Sequence, residues 1–382
     1  MLLLSFFMLV YHAGLFLWLF YGARKLSKVK NILPAEVIAA ELPSLSIIVP
    51  ARNEEKTLGV GLSSLIQLTY PRLEIFVVND RSTDKTAQVI DEFVKRDQRL
   101  KAVTVDRLPE RWLGKNHALQ LGAFESQSEL ILFTDADVEM DDEFLKNAVL
   151  FFLKNQLDHC AGIPKVTGGT PVLYPLLGVF GLAFSLFTRP WQGKDPNKKQ
   201  AVGIGAFNLV RRAAYLGIGG HSQLSLRPDD DLKLALLFKR SGFKTDCVNA
   251  VEGLRVEWYS NAIQLMRGLE KNTMTGFEYS FPKAILGNIL FTFTFLFPFF
   301  LPLLNEGPSS VFSWAALLCL FLSYAGQLYE ARMPLWCVPF FPFAALGILF
   351  IVVRACWLTF RNQGVYWRDT FYSLDVLRSN RF

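Results

Sequence analysis

From position 44 to position 134 the chain alternates between short apolar runs and stretches whose apolar residues return every three or four positions. The runs are LSIIVP (45–50), LEIFVVN (73–79), KAVTVD (101–106) and ELILFT (129–134). Their length and β-branched content predict strands. Between them, Leu58, Leu62, Leu65 and Ile66, then Val89, Ile90 and Phe93, then the segment 118–124 fall on helical spacing. Apolar strands alternating with helices predict an α/β fold with a parallel-sheet core covered on both faces. Ligands of such sheets bind beyond the carboxyl ends of the strands. The polar clusters of this chain fall there.

The ends of the chain follow another pattern. Residues 2–21 form one apolar run, long enough to cross a bilayer as a helix. No basic residue precedes it and no small-x-small cleavage site follows, which favours an anchor over 1–22. Arg24, Lys25, Lys28 and Lys30 come next, with no acid before Glu36. The positive-inside rule puts the following domain in the cytoplasm. Residues 283–304, 311–328 and 335–360 predict about three more spanning helices over 283–360. Pro339 and Pro342 suggest a re-entrant or interfacial start to the last of them. Segment 171–188 is shorter and reads as a helix lying along the membrane surface. The tail 361–382 reads as basic and amphipathic, with Arg361, Arg368, Arg378 and Arg381 favouring the inside, although three spans would carry it outside.

Composition agrees with a membrane protein: 51% of residues are hydrophobic and 34 are Phe. The net charge of +6 is spread without a dense basic stripe, so an anionic bilayer surface fits better than nucleic acid. Five cysteines without a CxxC pair read as buried thiols.

Four clusters could carry chemistry. Pro50, Arg52 and Glu54 follow the first strand, and Asp80 with Arg81 follows the second. Either alone could be a loop with a helix cap, but on neighbouring strand ends they share a crevice. Asp135 and Asp137 end the fourth strand, where alternation sends both to one side. Two crowded carboxylates call for a cation, and hard oxygen ligands suit Mg²⁺ or Mn²⁺. Asp229, Asp230 and Asp231 open a helix, more acid than capping needs and enough to raise one toward a useful base. Gly114 and Lys115 begin the third helix, suited to phosphate. Gly203-Ile204-Gly205 lacks the remainder of a dinucleotide fingerprint and is discounted. His117 and His221 lie near the site, but no HExxH or GxSxG motif is present.

In series, VPARNEE, VVNDRSTDKT, GKNHAL, FTDADV, RRAAYLGIGGH and DDDLKLALLFKRSG resemble the family-two inverting glycosyltransferases of GT-A fold, over 44–272. The anchor, the later helices and GVYWRDTFY resemble the subgroup holding ceramide glucosyltransferase and hopanoid- and carotenoid-associated enzymes. The resemblance implies a Rossmann-like nucleotide-sugar domain with Pro50, Arg52, Glu54, Asp80, Lys115 and Asp135 on the donor. It implies Asp135 and Asp137 on the metal, and Asp231 as base with Asp230 beside it. Processive members carry QxxRW; here Gln264-Leu265-Met266-Arg267-Gly268 ends in glycine, which implies transfer of one sugar. The expected partners are a nucleotide sugar, which the resemblance implies is a UDP-hexose, and a membrane lipid, with no nucleic acid and no obligatory protein. The rivals are a polyprenyl-phosphate sugar transferase, which should show more paired basic residues, and a non-catalytic transport or scaffold protein, which would not need intact acidic motifs.

Overall fold

A computed structural model describes residues 1–29, 42–367 and 370–379. Lys30, Glu36, Arg368 and Arg381, used above for membrane orientation, lie outside the described residues. The chain divides into two compact units: one holds 26–166 and 190–257, the other holds 1–25, 167–189 and 258–381.

The first unit contains the α/β sheet. Along the chain run β1 (Ser27–Lys28), β2 (Leu45–Ala51), α1 (Leu58–Ile66), β3 (Leu73–Asp80), α2 (Thr86–Arg96), β4 (Leu100–Val105) and α3 (Gly114–Glu125). There follow β5 (Leu130–Phe133), β6 (Val138–Met140), α4 (Asp142–Lys154), β7 (His159–Ile163), β8 (Asn208–Arg211), α5 (Arg212–Gly217), α6 (Asp230–Arg240) and β9 (Thr245–Asn249). The sheet order is β1-β9-β7-β8-β5-β2-β3-β4. All neighbours are parallel except β8, which is antiparallel to both β5 and β7. The four strands expected from the sequence are β2 to β5.

Alternation distributes the strand side chains to two cores. Ile47, Val49, Ile75 and Val77 face one layer with α1, α2 and α4 residues; Ile48, Phe76 and Val78 face the other with α3, α5 and α6 residues. From β2 the chain winds one way to β3 and β4, then returns to place β5 on the other side of β2. That reversal opens a crevice at the carboxyl ends of β2 and β5, between the first acidic loops and the Asp135–Asp137 segment.

The second unit is apolar and helical. Among the described residues five helices are long and apolar enough to cross a membrane: Leu2–Lys25, Leu173–Gln192, Phe281–Phe299, Pro308–Glu330 and Leu335–Asn362. The second meets that length and composition test as well, although the surface-helix reading of 171–188 did not require it. Pro339 sits in a 3-10 turn, Leu335–Phe340, and Pro342 in the first turn of the helix after it. Pro342 is therefore accommodated at a helix start, where a missing N–H costs little, whereas Pro339 lies inside the short turn that precedes it.

A few polar contacts are buried among these helices, where an unmet polar group is costly. Asn305 donates to Ser5 at 2.9 Å and to Ser313 at 2.8 Å. His12, fully buried, sets its ring nitrogens against the Met8 and Thr294 carbonyls at 2.9 and 3.0 Å. Beyond the last helix, Gly364–Trp367 and Thr370–Ser373 form a hairpin, and Arg378 donates to the Tyr279 carbonyl at 2.9 Å.

Candidate active site

The first two loops are laced together by side chains. Asn53 takes a left-handed backbone, with φ of 54°, and its amide oxygen accepts the Thr83 N–H at 2.8 Å. Glu54 N–H donates to Thr86 Oγ1 at 2.8 Å, and Glu55 N–H to Asp84 Oδ2 at 3.1 Å. The β2 and β3 loops are thus one rigid rim. Pro50 lies half-buried at the end of β2. Asp80, 2% exposed, closes β3 and pairs with Arg81 Nε at 2.8 Å and Arg52 Nη1 at 3.6 Å.

Gly114, at the start of α3, rests on the Asp80 carboxylate: a Cβ there would collide with Asp80 Oδ2. The glycine is the reason α3 can begin so close to Asp80. One residue on, Lys115 Nζ reaches Asp135 Oδ1 at 2.6 Å. Burial alone would lower the lysine's pKa, but Asp135, Asp230 and Asp231 outweigh it and raise it, so the ammonium stays charged.

Asp137 carries less compensation. Burial, then the Asp135 charge, with Glu54 adding to both, pushes its carboxyl up to about 7, against Lys115. Among the described residues no cluster of three or more His, Cys, Asp or Glu side chains could hold a metal alone. A pair of carboxylates is nevertheless what Mg²⁺ commonly takes from a protein when substrate phosphates and water complete its shell. The shortage of positive charge at Asp137 fits a cation.

The third acidic motif reaches the same place through a glycine. Asp135 N–H donates to the Gly205 carbonyl at 3.1 Å, and Gly205 N–H donates to Asp231 Oδ2 at 2.8 Å. A Cβ on Gly205 would strike Asp135 Oδ2, and one on Gly203 would strike the Asp231 carbonyl. The Gly203-Ile204-Gly205 segment, discounted as a dinucleotide fragment, is therefore the spacer joining two acidic motifs. Asn208 steadies it: its Oδ1 accepts the Ile204 N–H at 3.3 Å and faces His159 Nε2 at 3.0 Å.

The three acids opening α6 separate by environment. Asp229 is held by Arg227, which is 1% exposed and donates to both its oxygens at 2.8 Å. Asp230 is buried beside His221, and burial raises its pKa although Lys115 opposes this. Asp231 is only half-buried; its Oδ1 accepts the Leu232 N–H at 2.7 Å, and burial also raises its pKa against Lys115. Lys115, Asp135, Gly205, Asn208, His221, Asp230 and Asp231 share the lining of one small cavity. His117 is elsewhere, packed edge-on against Trp112 with ring centroids 5.5 Å apart.

The structure brings Pro50, Arg52, Glu54 and Asp80 to the rim, and Lys115, Asp135, Asp137, Asp230 and Asp231 to the crevice. Sequence reasoning missed Gly205, Asn208 and Arg227, and gave His221 no role. The two closely spaced glycines were the visible signal, read against the wrong motif.

Comparison with known proteins gives these residues a context. Residues 46–218 match the profile of glycosyl transferase family 2. A 4,4'-diaponeurosporenoate glycosyltransferase of Staphylococcus haemolyticus is 30% identical over 200 residues, 52% of this chain and 52% of that protein. The chain thus aligns with about half the length of that relative. Staphylococcus aureus proteins of the same name are 27% identical over 280 residues, 69% of this chain and 70% of theirs. A solved mannosyltransferase of Pyrobaculum calidifontis, in complex with GDP-Man and Mn²⁺, shares the fold with a TM-score of 0.53 and 16% identity. That match covers 94% of this chain and 99% of the other.

Proposed function

We propose, on the match of residues 46–218 to the profile of glycosyl transferase family 2, that this protein moves a single sugar from a nucleotide sugar, a UDP-hexose, to a membrane lipid with inversion. The observation that carries the reading is the junction at Gly205, where Lys115, Asp135 and Asp231 converge from three separate segments. A phosphate-seeking cation, a metal-seeking acid and a candidate base within one crevice suit displacement at a sugar carbon next to a diphosphate.

In this reading Asp80, with Arg52 and Arg81 at its flanks, receives the nucleotide base, while Pro50 and Glu54 line the nucleotide pocket. Lys115 and Asp135 meet the diphosphate. Asp135 and Asp137 would hold Mg²⁺ or Mn²⁺, which when bound supplies positive charge for the leaving diphosphate. Asp231 accepts the proton of an acceptor hydroxyl approaching the opposite face of the sugar. Its backbone hydrogen bonds fix the carboxylate plane, so orientation is set before the acceptor arrives. Asp230 lies behind it. An acceptor carboxylate, as in the name of the staphylococcal relatives, is already ionised and would lean less on that base.

Transfer of one sugar is supported at Gly268, where the family's processive members place tryptophan. A Cβ there would meet the Tyr259 ring, so a larger side chain would have to displace that tyrosine. Five helices of spanning length among the described residues support residence in a membrane, and Arg24, Lys25 and Lys28 support a cytoplasmic catalytic unit.

The decisive experiment incubates membranes containing the protein with radiolabelled UDP-sugars, followed by lipid extraction and mass spectrometry. A lipid carrying one added hexose is expected. Label confined to free sugar, or a polymer of several sugars, would sink the reading. Sidedness is read separately with a cysteine placed in the 194–199 loop: it should resist impermeant thiol reagents in sealed cells, and ready labelling reverses the orientation.

A further inference from the structure

A chain of polar groups behind the acids fixes the state of one histidine. The Tyr215 hydroxyl donates to Gln120 Oε1 at 3.0 Å, accepts the His221 backbone N–H at 3.1 Å, and lies 2.8 Å from His221 Nδ1. The Gln120 atom is an oxygen on independent grounds, because the Ser222 N–H donates to it at 3.2 Å. A phenol has one hydrogen to give. With that hydrogen engaged by Gln120, the oxygen can meet Nδ1 only as an acceptor, so Nδ1 carries the hydrogen. A neutral imidazole then leaves Nε2 bare. Nε2 faces Asp230 Oδ2 at 3.8 Å, and the two side chains are 1% and 4% exposed.

We propose that His221 is a positioning residue that keeps Asp230 neutral: its bare Nε2 accepts the Asp230 carboxyl hydrogen, leaving Asp231 as the one ionised acid of the pair. The inference rests on the reading of Asp231 as the base and adds how the protein selects between two adjacent carboxyls. Two ionised acids side by side in a buried pocket repel each other, and one retained proton removes that repulsion. The separation is longer than a formed hydrogen bond, and such contacts commonly tighten when a substrate complex forms.

The surroundings agree. Facing this pair are Lys115 from α3, Asp135 after β5, Tyr215 from α5, and Asp229 and Asp231 at the start of α6. Burial, then Lys115, lowers His221 to about 3, so the ring stays neutral. Burial raises Asp230, which favours its protonated form. The loop is built for the contact: Gly220 has φ of 57°, and a Cβ there would press on the Tyr215 ring and, at 2.8 Å, on Gln120 Oε1.

The test uses the full chain in detergent with a hydroxyl-lipid acceptor. Tyr215→Phe removes the acceptor for Nδ1–H and frees the hydrogen to move to Nε2, where it would favour ionised Asp230. The acid limb of the kcat profile should then rise by about one pH unit, a roughly tenfold loss below the limb. His221→Phe should move it the same way. Asp230→Asn, which mimics the neutral acid, should lose far less rate than Asp231→Asn. A ¹⁵N spectrum should show an Nδ1–H tautomer that disappears in His221→Phe. A uniform rate loss at every pH, equal losses in the two asparagine variants, or an Nε2–H tautomer would overturn the proposal. Retained rate in Asp231→Asn would instead sink the base reading, while the nitrogen spectrum still decides the tautomer.

Discussion

At the β3 end of the crevice Asp80 is buried between two guanidiniums, Arg81 at 2.8 Å and Arg52 at 3.6 Å. At the β5 end, Asp135, Asp137, Asp230 and Asp231 all act on the ammonium of Lys115. In the first region the buried carboxylate is fully balanced by its cations as it stands. The second holds more negative charge than its protein cation offsets, and burial penalises each uncompensated carboxylate. Stable pairing suits a surface that reads a nucleotide, while unmet charge suits a place where a cation, a diphosphate and a proton arrive. Rigidity is divided in the same way. The rim is laced by side chains such as Asn53 and Asp84, whereas the acid end is joined through the backbone of Gly205, which accepts from the Asp135 N–H and donates to Asp231.

Changes at the acid end should therefore have the larger effects. Asp231→Asn keeps the size of the side chain and much of its capping ability but removes the proton acceptor. Turnover with a hydroxyl lipid should fall by ~10²–10⁴-fold with donor affinity retained. Near-normal turnover would transfer the role to Asp230 and erase the contrast between the two acids.

Next in size is Asp137→Ala. UDP affinity measured by calorimetry in Mg²⁺ or Mn²⁺ should fall below detection, and a chelator should do the same to the unaltered protein. Equal affinity in all these conditions would show that the charge deficit at β5 is not met by a metal.

Gly205→Ala sharpens the comparison without altering any charge. The added methyl must displace the Asp135 carboxylate, so activity should drop by about tenfold or more, as 1 Å displacements in active sites do. Gly114→Ala tests the balanced end. Pressing on buried Asp80, it should lower stability by roughly 1–3 kcal/mol, read as a lower melting midpoint. Arg52→Ala should be mildest, about 0.2–1 kcal/mol in donor affinity, because Arg81 still pairs with Asp80. A larger loss from Arg52→Ala than from Asp137→Ala would invert the ranking.

Much of this was legible along the chain. Short apolar runs and period-3.6 patterns placed β2 to β5 and the helices between them, and longer apolar runs marked the membrane-length helices, because burial preference is local and repeats with backbone geometry. The acidic motifs at strand ends were legible for the same reason: a parallel sheet delivers every such end to one edge. The family resemblance then supplied the expected division of roles between Asp80, Asp135 and Asp231.

Other features required three dimensions. Gly205 lies 70 positions beyond Asp135 in number yet touches it, as the Asp135–Gly205 hydrogen bond at 3.1 Å shows. Nothing in the local sequence around either residue encodes that approach. Asp229, Asp230 and Asp231 are identical side chains in a row, and only their neighbours tell them apart: Arg227 holds the first, His221 faces the second, and the Gly205 amide orients the third. The tautomer of His221 depends on Tyr215, Gln120 and Ser222 together. The sequence alone determined which elements form and which edge of the sheet gathers the acids. The tertiary structure decided what each acid meets, because ionisation and orientation depend on burial and on partners distant along the chain.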